Sequence, residues 1–134
     1  MRIRRDVYSG TLKLWGEEHR DTLLEAYFYA SLVRELKRFK EARKLLQKSM
    51  LIARRVLGEN DHLKISMRLV YARALHQDPG ATLDDLREAV TTLEETLRTA
   101  RRVLGGAHPM TTSIELCLQD ARAALRARET AEAP

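Results

Sequence analysis

The sequence predicts an all-α protein, a right-handed superhelical stack of about six antiparallel helices. Three observations lead to this fold class. Apolar residues recur at spacings of three and four over most of the 134 residues, which is the helical period. A short sequence of apolar residues, a glycine and a histidine occurs at three places. The composition, with 32% charged and only 5% aromatic residues, suits helices better than a sheet sandwich.

The recurring sequence acts as a joint between repeats and sets the period of the chain. Its three copies span residues 14–19, 56–62 and 103–109. Their glycines are 42 and then 47 residues apart, and a period of about 20 to 50 residues is typical of stacked repeat proteins. We therefore interpret each copy as the place where one helix ends and the next begins. Gly58, in the second copy, is predicted to take the left-handed conformation that often ends a helix.

Six helices and a tail follow from these joints. We predict a single domain at 1–127, made of a half repeat at 1–15, a repeat at 19–58, a repeat at 62–104 and a final helix at 109–127, followed by a flexible tail at 128–134. The half repeat is only weakly helical; either the domain starts there or the chain is a fragment of a longer array. Because neither end has a capping helix, we expect both terminal helices to expose an apolar edge.

Turns divide each repeat into a pair of helices. The first repeat turns at residues 37–38, and the second turns at residues 78–80, Asp-Pro-Gly, which is a strong turn signal. Thr82 and Asp85 then have the spacing of a capping box. Pro109 suits the first turn of the last helix.

The joint at residues 103–109 reads Val-Leu-Gly-Gly-Ala-His-Pro, and the turn within the first repeat leads into the segment Phe39-Lys40-Glu41-Ala42. Through these two segments, residues 12–127 resemble tetratricopeptide repeats of the kinesin light chain type. The resemblance implies that the first helices of the repeats line a concave groove, which binds extended peptides of partner proteins and serves as a scaffold. Lys37 replaces the small residue usual at the turn within a repeat, and the groove asparagines of the family are absent.

We predict a non-catalytic protein–protein interaction module or scaffold that binds a peptide or a neighbouring subunit through this concave face. From the helix faces expected to line the concave groove, we predict five contact residues: Tyr27, Ser31, Arg34, Arg73 and Gln77. Tyr29 and Tyr71 occupy equivalent places in successive repeats, either in the core between repeats or in a groove for apolar side chains of a partner. An alternative function is an accessory structural subunit of a larger assembly, held by its terminal helices.

A basic patch occupies the turn and the second helix of the first repeat. It has eight basic residues against one acid, although the formal net charge of the whole chain is only +5. The eight are Lys37, Arg38, Lys40, Arg43, Lys44, Lys48, Arg54 and Arg55. The patch is either a docking surface for an acidic protein segment, a nucleic acid or an anionic membrane, or a solvated face partly paired with acids on neighbouring helices. Binding of nucleic acid or an acidic partner here is the second alternative function.

No combination of residues indicates catalysis, a metal site or a cofactor site. The joint histidines should lie one repeat apart, too distant to share an ion, so we expect them to form helix-start hydrogen bonds or packing contacts. Cys117 has His108 as its nearest histidine in sequence, near the other end of the same helix, and we expect a buried structural thiol. There is no phosphate-binding glycine loop. We therefore predict no enzymatic activity, no cofactor and no metal.

The sequence also bears on the location of the protein. The single cysteine rules out an internal disulfide and fits a reducing compartment. No run approaches the roughly 18 apolar residues of a membrane span. These features predict an intracellular protein in the cytoplasm, with an organelle as the alternative.

Overall fold

The computed structural model describes residues 2–133, and this part of the chain forms six helices without any strand. The helices are α1 (Arg2–Trp15), α2 (Arg20–Glu35), α3 (Phe39–Val56), α4 (His62–His76), α5 (Leu83–Val103) and α6 (Pro109–Glu132). The prediction of an all-α, tetratricopeptide-like stack is confirmed. No helix between residues 2 and 133 is long and apolar enough to cross a membrane.

The six helices form two layers. Each helix packs against its neighbour in the sequence, and α2, α4 and α6 also contact one another in order. The helices α1, α3 and α5 form the other layer, in which the backbones of α3 and α5 stay apart. Side chains do meet across this gap, as in the ion pair of Arg43 with Asp85 at 3.2 Å. The first helices of the repeats therefore form the continuous layer, while a cleft separates α3 from α5.

Helix α4 lies at the centre of the stack. Nine of its 15 residues are buried, which explains why its sequence is apolar on nearly every side. Alanines that are fully buried on α2, α3, α4 and α5 let these helices approach closely: Ala30, Ala42, Ala72 and Ala89. Tyr29 and Tyr71 are also buried, so the structure places both tyrosines in the core between repeats.

Side chains in the joints cap the N-termini of the helices that follow them. Nδ1 of His19 accepts a hydrogen bond from the backbone N–H of Asp21 at 3.1 Å, and Nδ1 of His108 accepts one from Met110 at 3.0 Å. The expectation of helix-start hydrogen bonding is therefore confirmed for these two joint histidines. Each side chain satisfies one of the backbone donors that every helix start leaves unpaired.

The middle joint departs from this pattern, and two expectations about it are wrong. Asp61, not His62, caps α4, because the joint is one residue longer and moves the histidine inside the helix. Gly58 is not left-handed, whereas Gly16 and Gly105 have φ of +81° and +91°. The chain instead leaves α3 through Leu57 in extended conformation, since the extra residue lets the backbone change direction without a left-handed residue.

The turn within the first repeat places a lysine in a conformation that favours glycine. Lys37 has φ of +64°, a region that L-residues with a Cβ rarely adopt. Its N–H donates to the carbonyl of Arg34 at 2.8 Å, and the N–H of Arg38 donates to the carbonyl of Val33 at 3.1 Å. These two bonds form a Schellman motif, which ends α2 and satisfies two of its last carbonyls.

The turn within the second repeat is longer and carries its own stabilising contacts. The carboxylate of Asp78 accepts a hydrogen bond from the N–H of Gly80 at 2.8 Å. Thr82 and Asp85 form the predicted capping box in both directions, and Pro109 lies in the first turn of α6 as predicted. The five extra residues of the second repeat therefore form an ordered turn and the capped start of α5.

The two ends of the stack differ. Ile3 and Leu14 of α1 are 80% and 78% exposed, so the expected apolar edge exists at α1. Helix α6 presents mostly polar residues where α4 is apolar. When the cap residues Asp61 and His108 are aligned, the buried positions 65, 69, 72 and 75 of α4 correspond to exposed Thr112, Leu116, Gln119 and Arg122 of α6.

Only Leu116 keeps the apolar character of its equivalent, so the expectation of an apolar edge at α6 is largely wrong. A polar outer face of this kind is what a terminal repeat needs in order to face water. Helix α6 also continues to Glu132, beyond the end predicted at residue 127. The flexibility of residues 128–134 stays a prediction.

Candidate partner-binding face

A polar cavity of about 260 Å³ opens between α2, α4 and α6, in the layer formed by the first helices of the repeats. Its lining residues are Arg34, Arg73, His76, Gln77, Ser113, Leu116, Cys117 and Asp120. Three of the five predicted contact residues, Arg34, Arg73 and Gln77, therefore meet in one place. Arg34 and Arg73 lie in the last turns of α2 and α4, and Gln77 is the residue that follows α4. They meet because the two helices run side by side in equivalent orientations.

The two arginines of this cavity lack acidic partners. Arg34 donates a hydrogen bond from Nη1 to Oε1 of Gln77 at 2.9 Å, while its Nε is buried without a partner. No carboxylate among residues 2–133 lies within 4 Å of either guanidinium. Burial lowers the pKa of Arg34, and the positive charge of Arg73 lowers it further. Asp120 is the one acid among the lining residues, against two arginines, and it pairs with neither of them. An anionic or hydrogen-bond-accepting group from outside would therefore stabilise both arginines.

The cavity also brings together a cysteine and a histidine that are 41 residues apart in sequence. Sγ of Cys117 lies 3.4 Å from Nε2 of His76, so the partner of the thiol is not His108. Burial raises the pKa of the Cys117 thiol and lowers the pKa of the His76 imidazole. Both groups are therefore neutral at neutral pH, unlike the thiolate–imidazolium pair of an activated cysteine. The thiol is buried, as expected for a structural cysteine.

Tyr27 and Ser31 do not line this cavity. The ring of Tyr27 is half-buried against the core and lies 5.5 Å from the ring of Phe28, centroid to centroid. The hydroxyl of Ser31 donates to the carbonyl of Tyr27 at 2.9 Å, which satisfies it within its own helix. A role for these two residues in binding stays a prediction.

A larger cavity of about 510 Å³ occupies the cleft between α3 and α5, on the opposite layer. Tyr71 of α4 forms part of its floor, with Met50, Arg54, Glu88 and other residues around it. The Tyr71 hydroxyl donates to Glu88 and accepts a hydrogen bond from Gln47 at 3.2 Å. Burial and the bond to Glu88 raise the pKa of Tyr71 to about 12. Tyr71 thus joins three helices through its hydroxyl.

The basic patch is divided between paired and unpaired residues. Four of its members have a carboxylate within 4 Å: Arg38 pairs with Glu41, Arg43 with Asp85, Lys48 with Glu17 and Arg55 with Glu18. Lys37, Lys40, Lys44 and Arg54 are exposed and have no such ion pair with the rest of the described chain. Three of the four pairs therefore join α3 to another part of the chain, the Arg38–Glu41 pair lies at the start of α3 itself, and the other four cations are exposed.

The repeat period of the sequence indicates which distant residues contact each other. Polar contacts between successive repeats recur at separations close to one period: 41 for Arg20–Asp61, 43 for Arg34–Gln77, 41 for His76–Cys117 and 42 for Asn60–Arg102. Adding one period to His76 would have led to Cys117. Within the described residues, no group of three histidines, cysteines or acids is placed to hold a metal ion.

Comparison with known proteins agrees with this architecture. A family model described as tetratricopeptide repeat matches residues 30–63 and 81–109. The two matches cover α3 and α5 together with the joints that follow them, and they support a tetratricopeptide repeat protein. No curated protein and no solved structure matches the chain significantly. Tetratricopeptide repeats generally mediate protein–protein interactions and are typically non-catalytic.

Proposed function

We propose that this chain is a non-catalytic interaction module of the kinesin light chain type, which holds an extended segment of a partner protein against the layer of α2, α4 and α6. The observation that carries the proposal is the meeting of Arg34, Arg73 and Gln77 in one cavity. The partner would contribute a carboxylate or a backbone carbonyl to the two guanidinium groups, which have no acid of their own.

Affinity purification from the source organism tests this proposal. The wild-type chain, the double variant Arg34→Ala/Arg73→Ala and the control variant Arg98→Ala serve as baits, and quantitative mass spectrometry compares the captured proteins. Arg98 is a matched control because it is an exposed arginine on α5, outside both the cavity and the basic patch. We expect proteins captured by the wild type and by Arg98→Ala to be lost from the double variant. Equal capture by all three baits would refute the proposal.

A second candidate function is binding of an acidic partner or nucleic acid through α3. The four unpaired cations of the basic patch support it, since they are free to replace counterions on an anionic surface. Affinity for a duplex oligonucleotide, measured over a range of salt concentrations, tests this candidate. Binding at low salt that falls steeply as salt rises would favour it, and absence of binding at low salt would exclude nucleic acid.

A further inference from the structure

Helix α1 presents an apolar face that nothing in the described chain covers. Ile3, Val7 and Leu14 are 80%, 42% and 78% exposed, and no residue of α1 is buried. Together with Gly10, these three residues lie at spacings of four, three and four, which is the spacing of residues in the apolar seam of a coiled coil. The adjacent face of α1 is the one that meets α2, through the Tyr8–Tyr29 ring contact among others.

We propose that two copies of this chain associate through this seam, with α1 of one copy antiparallel to α1 of the other. The seam is complementary to itself in this orientation. Ile3 of one copy would lie opposite Leu14 of the second copy, and Val7 would lie opposite Gly10, whose lack of a side chain leaves room for it. Such an isologous contact closes on itself after two copies.

The charges beside the seam favour the same arrangement. Asp6 and Lys13 lie on the same side of the seam, each one position before an apolar residue. In the antiparallel pair they lie about two residues, or roughly 3 Å, apart along the axis, so each Asp6 meets Lys13 of the second copy. Lys13 has no ion pair with the described chain, and Asp6 has only a 4.0 Å contact with Arg5.

A parallel pair would not have this complementarity. It would place the N-terminal arginines of one copy beside those of the other, where like charges repel: Arg2, Arg4 and Arg5. Arg4 already contacts Glu25 and the ring of Phe28 within its own chain. The antiparallel arrangement keeps the two arginine groups at opposite ends of a helix that is about 21 Å long.

Sedimentation equilibrium with a charge exchange tests the proposal. The samples are the wild type, Asp6→Lys, Lys13→Asp, and an equimolar mixture of these two variants, each at about 10 to 500 μM, since an interface of one short helix is expected to be weak. Both positions are exposed, so neither change should disturb the fold, which circular dichroism checks.

We expect a wild-type dimer and at least tenfold weaker self-association of each variant, because each variant places like charges opposite each other twice. The mixture should recover the dimer, since a chain with two lysines then meets a chain with two aspartates. A monomeric wild type over the whole range, or variants that dimerise as well as the wild type, would overturn the proposal. Failure of the mixture to recover would overturn the antiparallel arrangement. These outcomes are independent of binding at the cavity, because no residue of α1 lines it.

Discussion

Lys37 shows how a single residue departs from what its local structure favours. The Schellman motif at the end of α2 requires a left-handed residue, and glycine adopts that conformation without the steric conflict that a Cβ causes. The resemblance identifies position 37 as one where a small residue is usual, but the sequence alone does not show that the backbone keeps its conformation around lysine. The structure shows that it does, with φ of +64°.

We predict that Lys37→Gly stabilises the protein by about 0.5–1 kcal/mol, because it relieves this strain. Urea denaturation followed by circular dichroism measures the free energy of unfolding. Lys37→Ala is the matched control, since it removes the charge but keeps the Cβ, and it should not gain stability. If glycine and alanine changed the free energy equally, the charge and not the backbone would be responsible.

His76 gives the cavity a dependence on pH. Burial lowers its pKa below the ordinary 6.5; the nearby Asp120 raises it, and Arg73 and Arg34 lower it further. Between the folded pKa and 6.5 the unfolded chain binds more protons than the folded chain, so stability falls as the pH falls through this window. The sequence could not predict this shift, because the burial comes from α6, more than thirty residues away along the chain.

We expect the free energy of unfolding to decrease when the pH is lowered from 7.5 through 6.5 to 5.5. His76→Gln should make this decrease smaller, because glutamine does not titrate, while the other histidines are present in both proteins and cancel. Denaturation curves at several pH values measure the difference. If the stability of both proteins changed equally with pH, a buried His76 with a lowered pKa would be contradicted.

The helices and their boundaries could largely be predicted from the sequence. Apolar spacing located all six, and the turn and capping residues located the start of α5 and α6. The middle joint could not be predicted in detail, because the inserted residue leaves two possible caps, Asp61 and His62. Only the register of α4 against its neighbours decides between them, and this register depends on packing that lies outside the joint.

Asp61 is the cap that stabilises the centre of the stack. Its carboxylate accepts from the N–H of Leu63 at 2.9 Å and from the guanidinium of Arg20 at 3.1 and 3.2 Å. The bond to Arg20 lowers the pKa of Asp61. The cap therefore joins the start of α4 to the start of α2.

We predict that Asp61→Ala destabilises the protein by about 1–2 kcal/mol, as expected for a lost cap. His62→Ala should change the free energy of unfolding by less than about 0.5 kcal/mol, because His62 is exposed and makes no cap. Thermal and urea denaturation of both variants give the comparison. A larger loss for His62→Ala than for Asp61→Ala would mean that the histidine caps the middle joint as it does the other two.

At the scale of the whole molecule, the repeat pattern predicted the stack, because each joint specifies a helix boundary and each helix pair needs a neighbour to bury its apolar face. It predicted three of the residues that meet in the cavity, since equivalent positions on α2 and α4 share a face. It missed Ser113, Cys117 and Asp120, which α6 contributes. These residues contact α4 because they lie about one repeat period after residues of α4. No local motif of α6 indicates this contact.

The proposed function requires that the cavity of Arg34 and Arg73 receives a partner. The most direct measurement is the dissociation constant of a peptide selected from a random library against the wild-type chain, determined for the wild type, Arg34→Ala/Arg73→Ala and Arg98→Ala. Hydrogen bonds to charged groups contribute about 1.5–3 kcal/mol, so the double variant should bind at least tenfold more weakly. The control Arg98→Ala should bind as the wild type does. Unchanged affinity of the double variant, with its fold intact by circular dichroism, would contradict the claim.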